Sequence, residues 1–349
     1  MPSDHPYRRR IYSVLIIAFI IVANGCDIRP TSMGYQHRIV ILADSIFWNE
    51  IKNDVLPAFE TIVYTPHVEK RFYIKRIGLN ELNDYKSRMN VFLIGTTTGQ
   101  SEVDKYLRNQ IPAEFIDGVN NGKYFYLFKN DLFVRDQLGL IMMAKNTPQF
   151  IENFEILKNE IYDKFESAYF DRLSKSIYDS GEQEDLEEFL VNRFGWKVRI
   201  QHDYFIANHD MDDRYVWLRR IDPDRWLSIW EMEGDSSLLR ERKLFDIRDT
   251  ITKKYYSGDY VVREDSYVIT SDFQGKPTTK IIGLWRNDSN NDLVGGPFRT
   301  YIVHDKEKSR FYFIDYAVQA IGKLKQPYLD QLEIMARTFE VVSSDRKTE

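Results

Sequence analysis

Cys26 is the only cysteine in the chain, and the residues before it give its thiol one specific chemistry. Arg8, Arg9 and Arg10 precede an apolar run from Ile11 to Ala23, and Asn24-Gly25 then lead into the cysteine. A basic start, a short apolar stretch and a small residue before the cut are the parts of an export signal. With cysteine directly after Gly25, the expected outcome is lipid attachment to the Cys26 sulfur, as in bacterial lipoproteins, with Cys26 as the mature N-terminus. The run is too short to span a bilayer, which takes ~20 apolar residues. An uncleaved N-terminal anchor, with Cys26 incidental, is the alternative; either way the chain is tethered. Several acyl chains hold stably, since each buried methylene contributes ~0.8 kcal/mol. A lipidated Cys26 leaves no thiol elsewhere, and so no disulfide, catalytic cysteine or thiolate metal site.

Other chemistry-bearing residues give weaker patterns. His202, His209, Asp210, Asp212 and Asp213 cluster in sequence, but two histidines seven apart on an extended segment face opposite ways. The acidic string suits a hairpin turn better than a metal. Asp288-Ser-Asn-Asn-Asp292 places Leu293 and Arg299 where a calcium loop needs Gly and Glu, so that reading fails. Glu231 and Glu233 share one face of a predicted strand and could act as an acid/base pair. No nucleophile elbow, His-Glu-x-x-His, phosphate loop or dinucleotide fingerprint is present. Tyr215, Trp217 and Arg219 alternate along one predicted strand, with Trp226 and Trp230 on its partner. Exposed, these aromatics would stack on a sugar or an extended peptide; buried, they are cross-strand pairs. Trp285 and Arg286 point to opposite faces, so a core-facing Trp285 puts Arg286 in solvent or a groove. The candidate ligand surface is therefore Tyr215, Trp217, Trp226, Trp230 and Arg286. No catalytic residue, metal site or cofactor is assigned.

These residues need a scaffold, and the chain has the material for one. Of its 349 residues 14% are aromatic, including 22 Tyr and 22 Phe, enough to build cores rather than a disordered chain. The formal charge of −5 becomes more negative once the three signal arginines are removed, which disfavours nucleic acid as a partner. Apolar runs predict strands at Arg38–Ala43, Arg71–Ile77, Val91–Gly95, Tyr124–Phe128 and Leu138–Ala144. Helical spacing predicts one helix after Asp44 or Ser45 and another over Glu102–Phe115. Thr147-Pro148 opens a long helix, with Thr147 as N-cap and one stripe from Phe150 through Leu157 to Ile177. Gly181 interrupts it and Gly195 ends the continuation.

The second half reads as strand-rich. Arg214–Ile221 and Arg225–Glu231 flank the turn tripeptide Asp222-Pro223-Asp224. A helix follows over Ser237–Tyr256, then strands at Ser266–Asp272, Thr278–Arg286, Phe298–His304 and Arg310–Ala317. A last helix runs over Gln326–Phe339. The expected fold is α+β, two mixed sheet-and-helix units joined by a long central helix. The expected segments are a signal (1–25), a tether (26–36), an N-terminal domain (37–195), a strand-rich C-terminal domain (196–342) and a polar tail (343–349).

The segments Gly283-Leu-Trp-Arg-Asn-Asp288, Gly295-Gly-Pro-Phe298, Phe311-Tyr-Phe-Ile-Asp315, Leu332-Glu333 and Thr338-Phe339 occur in one order and spacing. In this the chain resembles an uncharacterised lipoprotein family of unknown function common in Bacteroidota, over nearly its whole length. Asn24 and the segment Thr65-Pro66-His67-Val68-Glu69 depart from the family pattern. The resemblance implies an exported, lipid-anchored protein and carries no activity with it. Gly295-Gly296 is expected to supply a backbone path with positive φ, with Pro297 fixing φ and Phe298 entering a strand. The leading expectation is a non-enzymatic lipoprotein of the bacterial cell envelope, at a periplasmic or outer-membrane face. It would bind or scaffold an envelope protein or glycan and meet the membrane through Cys26. The alternative is an envelope hydrolase acting on glycan or peptide through acidic residues such as Glu231 and Glu233.

Overall fold

The computed structural model describes residues 28–234, 241–288 and 294–342; Cys26, the signal and the polar tail lie outside them. By contact the chain forms two compact units. One comprises Val40–Asp44 and Arg76–Ala144 with the segment ending at Tyr35; the other comprises Gln36–Ile39, Ser45–Lys75 and the chain from Lys145 onward. The class is α+β, with a long helix mid-chain.

In chain order the first elements are β1 (Arg38–Leu42), α1 (Ser45–Phe59), β2 (Ile62–Val63), β3 (Glu69–Lys70), β4 (Tyr73–Ile77), α2 (Leu82–Tyr85) and β5 (Asn90–Thr96). Then come α3 (Glu102–Gln110), α4 (Ala113–Asn120), β6 (Tyr126–Asn130) and β7 (Leu138–Ala144). The five-stranded sheet has the order β4-β1-β5-β7-β6. β1, β5 and β7 run parallel and β6 runs antiparallel to β7. All seven residues of β5 and of β7 are buried, the continuous apolar reading of a strand covered on both faces. One helix was expected over Glu102–Phe115, but the segment makes two. Pro112 biases Ile111 away from helical geometry, so α3 stops and α4 restarts after the proline.

The long helix is α5 (Thr147–Tyr178), followed by α6 (Glu184–Phe194), β8 (Trp196–Lys197), β9 (Phe205–Asp210), β10 (Tyr215–Arg220) and β11 (Asp224–Glu233). The chain continues through α7 (Glu241–Tyr255), β12 (Tyr260–Phe273), β13 (Lys276–Asn287), β14 (Val294–Asp305), β15 (Arg310–Gln319), α8 (Gln326–Ala336) and β16 (Glu340–Val341). The cap of α5 is Asn146, one residue before the expected Thr147; its side chain accepts from the Gln149 N–H at 3.1 Å. The α5 stripe is buried except at Leu157, which is only half-buried. It packs on α1 through Phe47–Phe150 and Phe59–Phe165 ring contacts at 5.4 and 5.7 Å.

The seven-stranded antiparallel sheet has the order β12-β13-β14-β15-β11-β10-β9. It is buried on both faces: along β15, Tyr312, Ile314, Tyr316 and Val318 join one apolar cluster with α6 and α8. Phe311, Phe313 and Ala317 join the other, with α7. The family segments meet directly in this sheet, since Gly283 pairs with Phe298, Trp285 with Gly296 and Arg286 with Gly295. The expected positive φ at Gly295-Gly296 is not found. Close approach is the reason for these glycines: a Cβ on Gly296 would lie 2.0 Å from the Val318 carbonyl oxygen, and one on Gly295 2.6 Å from that of Trp285.

Candidate functional site

The sequence-derived ligand surface is mostly interior. Tyr215 and Trp230 are fully buried, Trp226 nearly so, and Trp217 half-buried, while Arg286 alone is exposed. α7 covers them: Tyr215 stacks on Tyr255 at 3.9 Å, Trp226 meets Trp285 at 5.3 Å and Trp230 stacks on Phe313 at 5.1 Å. These strands lie inside the sheet, so their alternating aromatics become packing pairs. Trp285 is buried and Arg286 faces solvent, as their alternation requires. Cys26 lies outside the described residues.

The acidic candidates are equally accounted for. Both oxygens of buried Glu231 are taken, one by Arg214 (2.7 Å) and Trp196 (3.2 Å), the other by Arg310 (2.8 Å). Exposed Glu233 pairs with Arg310 at 3.3 Å. A carboxylate with both oxygens taken by guanidinium and indole donors has the geometry of a structural ion pair. Asp210 turns the β9–β10 connection by accepting from the amides of Asp212 and Asp213. His209 packs edge-on against Phe189. Among the described residues no group of three or more His, Cys, Asp or Glu is placed to hold a metal.

The arrangement with most unspent chemistry lies in the second unit, where α5, α8 and three strands of the large sheet enclose a cavity of about 640 Å³. Lys280 on β13, Arg299 on β14 and Tyr316 on β15 reach it from neighbouring strands, because Arg299 is directly opposite Tyr316. Helix α8 presents Asp330 and Glu333 and its C-cap presents Arg337, a spacing that places the three on one side. Arg71 comes from the segment between β3 and β4, and Glu166 and Phe170 from α5. The start of α8 is held by Glu69, whose buried carboxylate accepts from the amides of Lys325 (2.9 Å) and Gln326 (2.8 Å). An acid at a helix N-terminus satisfies free amides and the helix dipole together.

Most of the charge in this wall is neutralised internally. Glu333 accepts from Lys280 Nζ (2.9 Å), Arg337 Nε (2.6 Å) and the hydroxyls of Tyr301 and Tyr316. Burial pushes Glu333 up, but the Lys280 and Arg337 charges outweigh it and hold the carboxyl well below the usual range, at about 2. Arg71 binds Asp330 at 2.8 Å and Glu166 at 3.2 Å, and Tyr169 also donates to Asp330. The hydroxyls of Tyr169, Tyr301 and Tyr316 are raised by burial first and by these carboxylates second, so they stay protonated donors.

Arg299 is the exception. It is 7% exposed and donates only to main-chain oxygens, those of Phe298 (2.7 Å) and Tyr64 (2.5 Å). Among the described residues no carboxylate reaches ion-pair distance of it. Burial lowers its pKa, although an arginine remains charged at any ordinary pH. Neither Arg299 nor Lys280 carried a motif. The available signal was a cation inside Phe298-Arg-Thr-Tyr-Ile302, a strand run with large side chains on both faces.

A second polar site occupies the loop after β5 in the first unit. There the Asp104 carboxylate accepts from the Thr96 amide (2.6 Å), the Thr96 hydroxyl (3.1 Å) and the Ser101 hydroxyl (2.7 Å). Arg108 donates to the carbonyls of Thr96, Thr97 and Gly99. Gly99 is required by close approach, since a Cβ there would stand 2.1 Å from Asp104 Oδ2. The loop has the look of an anion cradle and already holds one.

No curated protein sequence matches the chain. Among solved structures, the Ran-binding protein Mog1p of Saccharomyces cerevisiae aligns with 14% identity and TM-score 0.31, over 43% of this chain and 92% of that one. LpqN of Mycobacterium tuberculosis, described as involved in cell envelope biogenesis, aligns with 10% identity and TM-score 0.27, over 42% and 83%. Family models are more informative: residues 32–178 match the domain of unknown function DUF8532, and residues 183–338 the domain of unknown function DUF4837. The junction between them falls just after α5, and both matched domains are of unknown function.

Proposed function

We propose that this chain is a lipid-anchored binding protein of the bacterial cell envelope, tethered through Cys26, whose second unit takes a ligand in the cavity at Arg299. The carrying observation is how that wall is wired. Its buried carboxylates are committed to ion pairs and its tyrosines are protonated donors, an arrangement suited to recognition and poor for acid/base turnover. A cavity of about 640 Å³ is of the size that encloses a small molecule. The basic, apolar and Gly25-Cys26 signal supports export and acylation. Among the described residues no helix is long and apolar enough to cross a membrane. The binding of an envelope protein or glycan, with no nucleic acid, belongs to the same proposal.

The test uses the full chain extracted from membranes in mild detergent. Native mass spectrometry is expected to find one chemically unchanged small molecule per chain, with Cys26 acylated. A Cys26→Ser variant should leave the membrane fraction. Release of fragments from purified cell-wall glycan or peptide would overturn the binding reading. An intact Met1 terminus would overturn lipidation at Cys26 and leave the uncleaved anchor in its place.

A further inference from the structure

The geometry points to a small molecule bearing a compact oxyanion, a carboxylate or a phosphate, seated on Arg299 inside this cavity. The inference rests on the binding reading above and names the ligand chemistry it leaves open.

Charge supplies the first argument. The wall brings in Arg71, Lys280, Arg299 and Arg337, against the inward carboxylates Glu166, Asp330 and Glu333; a fourth, Asp171, is exposed at the rim. Arg71 is satisfied by Glu166 and Asp330, and Lys280 and Arg337 share Glu333. One cation is left over, and it is the deeply buried one. An isolated buried charge is costly, and proteins that retain one supply a partner. Here no described residue supplies that partner, while the guanidinium lines open space.

Donor geometry supplies the second. A guanidinium has five N–H donors in a planar fork that suits carboxylate and phosphate oxygens. Arg299 uses two, both on main-chain carbonyls that orient the group without neutralising it. Arg225 is a useful contrast: it too is buried without a carboxylate, yet it lies over the Tyr328 ring at 5.0 Å and donates to Gln331 at 3.3 Å. Its surroundings are protein. Those of Arg299 are cavity, with Phe170, Leu329 and Ile334 offering an apolar flank for the body of the molecule.

The test measures binding of benzoate, phenyl phosphate and neutral benzamide to the full chain in detergent, by calorimetry, after removal of any co-purified ligand. Benzoate or phenyl phosphate is expected to bind, to compete with the co-purified molecule and to weaken as salt rises, while benzamide does not bind. Whichever anion binds more tightly identifies the source as carboxylate or phosphate. Arg299→Gln should weaken the anion about tenfold or more, the value of a charge-assisted hydrogen bond. Its ligand-free Tm should hold within about 2 °C or rise, because an uncompensated charge has been removed. Arg286→Gln, at an exposed position, should change neither. Equal binding of benzamide and benzoate, or a marked loss of ligand-free stability in Arg299→Gln with anion affinity intact, would overturn the inference. The benzoate–benzamide comparison on the unaltered chain needs no variant. A neutral co-purified molecule bound at one equivalent would sink the oxyanion and leave the binding reading standing.

Discussion

The loop after β5 and the cavity at Arg299 are both built to hold an anion, and they differ in who supplies it. In the first unit Asp104 enters its own cradle and takes two donors from Thr96 and one from Ser101. In the second unit the side chains of Arg71, Lys280 and Arg337 all find carboxylates, and Arg299 does not. The lesson concerns how to sort buried polar groups. A closed set of donors and acceptors is a structural device; a set left open by one charge against a cavity is a place for something else.

The comparison can be broken by making each site like the other. The largest effect is expected from Glu333→Ala, which strands buried Lys280 and leaves Arg337 only its 3.6 Å pair with Asp272. It should lower unfolding free energy by about 3–5 kcal/mol, read by denaturant titration. All six tryptophans, Trp48, Trp196, Trp217, Trp226, Trp230 and Trp285, belong to the second unit, so their fluorescence reports that unit alone. Next comes Asp104→Ala, expected to cost about 1–3 kcal/mol by orphaning buried donors. That loss should be silent in fluorescence and appear as faster hydrogen exchange at the Thr96 amide.

Acid sharpens the same contrast. Glu333 is depressed in the folded chain, so its contribution is complete above the ordinary carboxylate pKa of ~4.3 and lost as pH falls from there toward about 2. A pH series of denaturant midpoints should show this loss, and Glu333→Gln should flatten it. A midpoint for the unaltered chain that is independent of pH across that window would mean the Lys280–Glu333–Arg337 cluster contributes little. The smallest effect on stability is expected from Arg299→Gln, about zero without ligand.

The large packing devices were legible in the sequence. The α5 stripe announced itself because 3.6-residue spacing survives over many turns, and β7 was found at its full extent because an unbroken apolar run has sharp ends. The β10–β11 hairpin followed from Asp222-Pro223-Asp224. Local competition hid the rest: Pro112 split a periodic segment, and Asn146 outcompeted its neighbour as cap. Aromatic alternation on β10 and β11 was correct as a pattern and silent about α7, which decides whether that face meets water. The cavity was hardest, because its chemistry is made by residues from six separate segments. Of the cavity residues only Glu333 and Thr338 lie in the family segments, and in the sequence Arg299 stands out only as the wrong residue for calcium.

Glu69 fixes the start of α8 across a separation of 256 residues. That helix and its C-cap carry Asp330, Glu333 and Arg337, so this side of the cavity wall has no anchor until the last tenth of the polypeptide has been made. A nascent chain stopped before Lys325 leaves the Glu69 carboxylate with neither amide, Arg71 without Asp330, and Lys280 and Tyr316 without Glu333. The ligand chamber is therefore a late event in the life of each molecule, and small C-terminal truncations should abolish it while the five-stranded sheet still assembles.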